Sequence, residues 1–318
     1  MSDASKAGIV VVGSLNADLT IYCDRLPQPG ETVHGNGFAV NPGGKSANQA
    51  VAASKLGGQV RLIGAVGDDP NGTMLLDSAA SAGVDVSRVR RSDKATGVAV
   101  ISVDAGGENS IIISAGANGT LVPSDISADA FRDAAVVCLC LEVGIDTVIA
   151  AAQAGHDAGA TVLLNLSPYA EVPEVLAGLS DVLLVNAHEA SLFLGAEADV
   201  PDSDAEAEAW EPVRSQFADR GLQRVLVTLG AQGSVVLDSL ARGSEDQITR
   251  IAPTRVNAVD TTGAGDAFTG AVAARLAAGE SLANAASFAS VAAALAATRK
   301  GTQAAYPGIA DVEQLRGA

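Results

Sequence analysis

Short apolar runs alternate along this chain with longer stretches whose apolar positions recur at helical spacing. Strands are predicted over residues 9–12, 60–65, 136–141, 162–165, 182–185 and 225–228. Their near-continuous Val, Leu and Ile content is that of strands buried on both faces. Helices are predicted over 47–56, which Gly57-Gly58 stops, and over 74–82, 147–158, 187–194, 205–220, 264–278 and 282–298. Strand followed by helix, repeated, is the order of βαβ units. The pattern therefore predicts an α/β fold: a doubly wound, mostly parallel sheet with helices on both faces.

Two segments break the rhythm. Residues 17–40 and 96–114 read as strands without intervening helices, and in the second the runs 98–103 and 109–114 flank Ala105-Gly106-Gly107 as a β-hairpin would. Strands set apart from the doubly wound part predict a small β-sheet lid, contributed by about residues 17–42 and 96–116, over a cleft. No internal repeat or low-complexity linker divides the chain, so a single domain over 1–318 is expected. The acidic stretch 197–211 reads as a solvated loop and helix face.

Composition narrows the function. Hydrophobic residues make up 48% of the chain, but no apolar run is long enough to cross a bilayer. Residues 1–6 lead straight into the first strand, leaving no signal peptide, so a cytoplasmic protein is expected. Cys23, Cys138 and Cys140 form no CxxC pair and read as small buried hydrophobes; His34, His156 and His188 have no metal-ligand spacing. A net charge of −17 argues against nucleic acid as a partner. It would also repel a nucleoside triphosphate, so any such site must draw positive potential from backbone amides, a helix end or Mg²⁺.

The most informative stretch is Asp260-Thr261-Thr262-Gly263-Ala264-Gly265-Asp266-Ala267-Phe268, which opens a long apolar helix. Glycines there leave backbone amides bare at the positive end of a helix dipole, a suitable hole for a phosphoryl group gaining charge. Asp266 beside it is a candidate base for an attacking hydroxyl; the alternative is an acid that only stabilises the helix dipole. Gly43-Gly44-Lys45-Ser46 resembles the end of a P-loop, but Ala39 stands where that motif needs its first glycine. It reads better as a hinge and substrate loop with Asn48 as a polar contact, or else as a plain turn. Asn16, Asp18 and Glu142 follow strands at the carboxyl ends where parallel sheets bind ligands; as alternatives, the first two could form an Asx turn and Glu142 a solvated loop residue. Asn186 and Glu189 could hold Mg²⁺ through water, or form a helix capping box.

Taken in order along almost the whole chain, these motifs resemble the ribokinase-like, or PfkB, carbohydrate kinase family. The match includes Gly13-Ser14-Leu15-Asn16-Ala17-Asp18, the 43–49 loop, Ala115-Gly116-Ala117-Asn118, Asn186 with Glu189, Thr228-Leu229-Gly230, the 260–268 signature and Thr298-Arg299-Lys300-Gly301. The resemblance implies ATP-dependent phosphorylation of a small furanose such as ribose at its 5-hydroxyl. It makes Asp266 the base and the Gly263, Ala264 and Gly265 amides the anion hole, and puts Asn16, Asp18, Gly44, Lys45, Asn48, Glu142 and Asp266 on the sugar, with Ala99 and Ile111 as apolar lid contacts. ATP would lie near Asn186, Thr228, Gly230, Gly233, Gly265 and Ser290, with Mg²⁺ near Asn186 and Glu189.

A monovalent cation, usually K⁺, is also implied, held by the Asp260 carboxylate and the carbonyls of Thr262, Ala296, Arg299 and Gly301. So is a homodimer joined through the lid. The chain departs from the family pattern at Ala305, where a cation-ligating Ser is common. It departs again at Ser290, where an Asn often stands, and at Ser46, where Gly often stands. Rival readings are a family kinase acting on deoxyribose, fructose or a nucleoside, and a non-catalytic sugar sensor. An aromatic content of 3% disfavours base stacking and hence a nucleoside. A nicotinamide-dependent dehydrogenase is set aside because no G-x-G-x-x-G follows the first strand.

Overall fold

The computed structural model describes residues 7–195, 200–243 and 246–317. Residues 1–6, on which the leader reading rests, and 197–199 of the acidic stretch lie outside them. The large sheet is built on β1 (Gly8–Val12), flanked by β4 (Gln59–Gly67) and β5 (Asp85–Ser92) on one side. On the other side follow β8 (Ala134–Leu139), β9 (Thr161–Asn165), β10 (Val182–Asn186) and β11 (Arg224–Thr228), all parallel. Two antiparallel strands, β12 (Ser234–Asp238) and β13 (Ile248–Ile251), complete that edge.

Burial on both faces explains the composition of β1. Ile9 and Val11 join one core cluster while Val10 and Val12 join the other. Helices α1 (Lys45–Lys55), α2 (Pro70–Ser81), α7 (Ala264–Ala277), α8 (Leu282–Ala297) and α9 (Ile309–Arg316) contribute to the first cluster. Helices α3 (Ile145–Asp157), α4 (Glu174–Leu179), α5 (Ala187–Leu194) and α6 (Glu211–Asp219) contribute to the second. The doubly wound layering expected from the pattern is thus observed.

The small sheet has the strand order β3-β2-β6-β7, with β2 (Asn16–Cys23), β3 (Gly35–Gly43), β6 (Gly97–Val103) and β7 (Asn109–Ser114). The expected hairpin is β6–β7, paired from Val98 with Ser114 to Val103 with Asn109. The sheet leaves the carboxyl end of β1 at Asn16 and returns through Gly43-Gly44 into α1. Here the glycine pair is compelled by close approach. A Cβ on Gly43 would lie 2.2 Å from the Asp18 carboxylate, and one on Gly44, at φ +89°, 2.7 Å from the Asn16 nitrogen.

Three boundaries differ from the sequence pattern. The helix expected over 205–220 begins only at Glu211, after a 3-10 turn at Ala207–Trp210, because Pro212 suits a first helical turn but not an interior. The strand expected over 136–141 ends at Leu139, since the Leu141 amide donates to the Ser167 carbonyl instead of continuing the ladder. The helix expected from 74 starts at Pro70, where Asp69 caps it by accepting from the Gly72 amide at 2.8 Å.

Candidate active site

Asp266 lies in the first turn of α7 and is buried. Its two carboxylate oxygens each accept one side-chain amide, from Asn48 Nδ2 and Gln49 Nε2, both at 3.0 Å. Gly270 brings those helices together: a Cβ there would meet the Gln49 carbonyl at 2.5 Å, so α1 and α7 cross in contact one turn beyond Asp266. Behind the amides, Gln303 Nε2 donates to Asn48 Oδ1 at 3.0 Å and Cys138 Sγ donates to Gln49 Oε1 at 3.3 Å. Each amide is thereby fixed with its NH₂ toward Asp266.

Burial raises the Asp266 carboxyl above its ordinary value, against the opposing pull of Lys45, Asn48 and Gln49. Burial, with Glu142 and Asp266 nearby, raises Asp18 to about 7. For Lys45, burial would lower the ammonium, but Asp266 and Glu142 outweigh it and hold the group above its ordinary value. Glu142 is no solvated loop residue: its Oε2 accepts the Lys45 amide at 3.0 Å and the Ser14 hydroxyl. Asn16 is buried and its Oδ1 accepts from Asn118 Nδ2 at 2.8 Å, while Asn118 also bonds both backbone groups of Leu15, at 3.0 Å each. Asn118 thus fixes the start of β2, a positioning part that its place in a recurrent motif hinted at.

Register places Ala99 beside Asp18. Ile111 pairs with Ile101, two residues beyond Ala99, so Asp18, Ala99 and Ile111 share one face of the small sheet. Ser46 does not face that space. Its hydroxyl lies 3.0 Å from Cys140 Sγ and 3.4 Å from the Val12 carbonyl, in the room left by Gly13, where a Cβ would sit 2.2 Å from Ser46 Oγ. The departure from Gly at this position is therefore absorbed by the core.

Lys45, Asn186, Glu189, Thr228, Gly263, Gly265 and Asp266 line one cleft, together with Asn165 and Ser167. The last two were missed from sequence, although Asn165 ends β9 at the same carboxyl edge that singled out the others. Asn186 and Glu189 do form a capping box, at 2.8 and 2.9 Å, which leaves Glu189 Oε1 available. Gly233, at φ +88°, is accounted for by the β11–β12 turn, because a Cβ would strike the Ile251 carbonyl at 2.1 Å. Ser290 lies away from that lining; its hydroxyl donates to the Ala252 carbonyl at 3.3 Å.

At the head of α7 no side chain caps the helix, and Gly263 takes a left-handed conformation at φ +73°. The grouping of Gly263, Ala264 and Gly265 amides needs one correction: the Ala264 amide closes the turn by donating to the Thr261 carbonyl at 3.1 Å. Among the described residues the Gly263, Gly265 and Asp266 amides have no acceptor. Asp260 accepts the Thr262 and Gly301 amides at 3.0 and 2.9 Å; burial would raise it, but these bonds hold it below its ordinary value.

A pfkB family carbohydrate kinase model matches residues 6–308. The ribokinase of Schizosaccharomyces pombe is 34% identical over 314 residues, covering 96% of each chain. The deoxyribokinase of Salmonella typhimurium is 36% identical over 305 residues, covering 95% of this chain and 96% of its own. In three dimensions the chain is similar to Arabidopsis thaliana ribokinase complexed with ribose and ATP, with a TM-score of 0.87 and 31% identity over 97% of this chain and 98% of that one.

Proposed function

Because this chain belongs to the pfkB family of carbohydrate kinases, we propose that it transfers the γ-phosphoryl group of ATP to the 5-hydroxyl of D-ribose, giving ribose 5-phosphate and ADP. The observation that carries this reading is Asp266, held by two amides beside the acceptor-free amides of Gly265 and its own residue. In the proposed reaction the sugar lies between the small sheet, acting as a lid, and the cleft, with its hydroxyls on Asn16, Asp18, Asn48 and Glu142. Asp266 accepts the proton of the attacking hydroxyl, and the Gly263 turn receives charge developing on the transferred group. Lys45 adds a fixed positive charge to a protein whose net charge is −17.

The cleft oxygens of Asn186 and Glu189 suit Mg²⁺ held through water, where the ion would neutralise phosphate charge. A monovalent cation fits less well. Asp260 and the carbonyls of Thr262, Ala296, Arg299 and Gly301 each keep a lone pair for it, but Ala305 offers a buried methyl where a further oxygen is expected. We further read the chain as one cytoplasmic α/β domain that pairs through the outer face of its lid. No described helix is long and apolar enough to cross a membrane.

The 36% identity to a deoxyribokinase supports a second reading, with 2-deoxyribose as the sugar. ADP release with Mg-ATP, measured across ribose, 2-deoxyribose, fructose and adenosine in potassium and in sodium, separates the two. Ribose is expected to give the highest kcat/KM. Preference for 2-deoxyribose would replace the sugar and keep the mechanism, whereas silence with every acceptor would favour a sugar sensor.

A further inference from the structure

A helix whose N-terminal amides must stay open to a ligand cannot be capped by a side chain, because an N-cap group would occupy those same amides. Its first turn has to be held from behind, through a carbonyl. In α7 that carbonyl belongs to Gly263: it accepts the Ala267 amide at 2.9 Å and, from the far side, the Tyr306 hydroxyl at 3.2 Å. Tyr306 is 3% exposed, and its hydroxyl lies 2.7 Å from where a Gly263 Cβ would stand, with the Thr302 methyl at 2.9 Å. The ring and the methyl therefore fill the space beneath the turn.

The segment carrying Tyr306 is itself fixed. Lys55 Nζ donates to the Gln303 carbonyl at 2.6 Å and to the Tyr306 carbonyl at 3.3 Å. From the same segment Gln303 reaches Asn48, and through it Asp266, while the Thr302 hydroxyl donates to the Pro42 carbonyl at 3.2 Å near the end of β3. Three residues of one short segment, Thr302, Gln303 and Tyr306, thus touch the end of β3, the amide on the proposed base and the turn.

We propose that Tyr306 is a positioning residue for phosphoryl transfer: its hydroxyl holds the Gly263 turn so that the Gly265 and Asp266 amides point into the cleft. The inference rests on the kinase reading above, but its structural half can be measured without turnover. Tyr306→Phe keeps the ring and removes only the hydroxyl. A buried hydrogen bond of ordinary strength predicts a fall in kcat of roughly 3- to 10-fold. The KM values for sugar and ATP should stay unchanged.

Exchange of the hydrogen-bonded Thr262, Ala264 and Ala267 amides should quicken by a similar factor, with exchange elsewhere unaltered and the melting temperature lowered by no more than a few degrees. Wild-type kcat with wild-type exchange would overturn the proposal. So would exchange quickened throughout the protein with both KM values raised, which is the signature of a general packing role. If the wild type phosphorylates none of the tested sugars, quickened exchange confined to the turn still supports the positioning role while the kinase reading fails.

Discussion

Asp266, the proposed base, has two carboxylate oxygens, each already accepting one amide, from Asn48 and Gln49. Asp266→Asn would set an NH₂ group against at least one of these donors and remove the proposed proton acceptor. Turnover is expected to fall by roughly 10²–10⁴-fold, with little change in sugar KM. Single-turnover measurement checks this, and a near-normal rate would remove Asp266 from the base role. Asp18 supplies a pH test. Its carboxyl is raised to about 7 by burial and by Glu142 and Asp266. A sugar hydroxyl donating to Asp18 favours the carboxylate, so binding lowers this pKa and releases a proton. Sugar affinity should therefore be level above pH 7 and weaken as pH falls below it. Calorimetry in two buffers of different ionisation enthalpy reads the proton released, and Asp18→Asn should abolish both effects.

Among the elements, the contact between α1 and α7 decides whether those residues meet. Gly270 has no room for a side chain: a Cβ would lie 2.5 Å from the Gln49 carbonyl and 2.7 Å from the Ala52 Cβ. Gly270→Ala improves intrinsic helix propensity yet must push the helices apart, so a loss of about 1–3 kcal/mol in unfolding free energy is expected. Turnover should fall as well, because Asn48 and Gln49 would move off Asp266; urea titration and kinetics on the same variant check both. Nothing in the local pattern of 47–56 or 264–278 announces that crossing, although each helix is legible by itself. Buried strands such as β1 and β10 were equally legible, because burial on both faces leaves long apolar runs. Strand β5 was not. Its Asp85-Val86-Ser87-Arg88-Val89-Arg90-Arg91 lies at a sheet edge, where ion pairs of Arg88 with Asp129 and Arg90 with Asp125 replace apolar cover. For the site, motif order named Asp266, Asn48 and Asp18. It missed Gln49, Gln303 and Tyr306, whose work consists of contacts between residues more than forty positions apart.

At the scale of the whole molecule, the small sheet leaves an unusual surface. Register places Ile21 beside Phe38 and Val100 between Leu19 and Ile112, all on the face turned away from Asp18. Phe38 is 65% exposed and Ile112 71%. Side chains of this size gathered on one exposed sheet face are the mark of a contact surface. The proposed homodimer through the lid would cover them and would also tie lid position in one subunit to that in the other. Phe38→Asp and Ile112→Lys, made singly, are therefore expected to yield monomers in sedimentation at micromolar concentration, where the unaltered protein is expected to sediment as a dimer. Neither residue lies on the Asp18 face, so a change in sugar KM accompanying dissociation would mean that pairing shapes the lid. Dissociation with unchanged kinetics would make the dimer a device for covering apolar surface alone, and a wild-type monomer would leave that face without its proposed occupant.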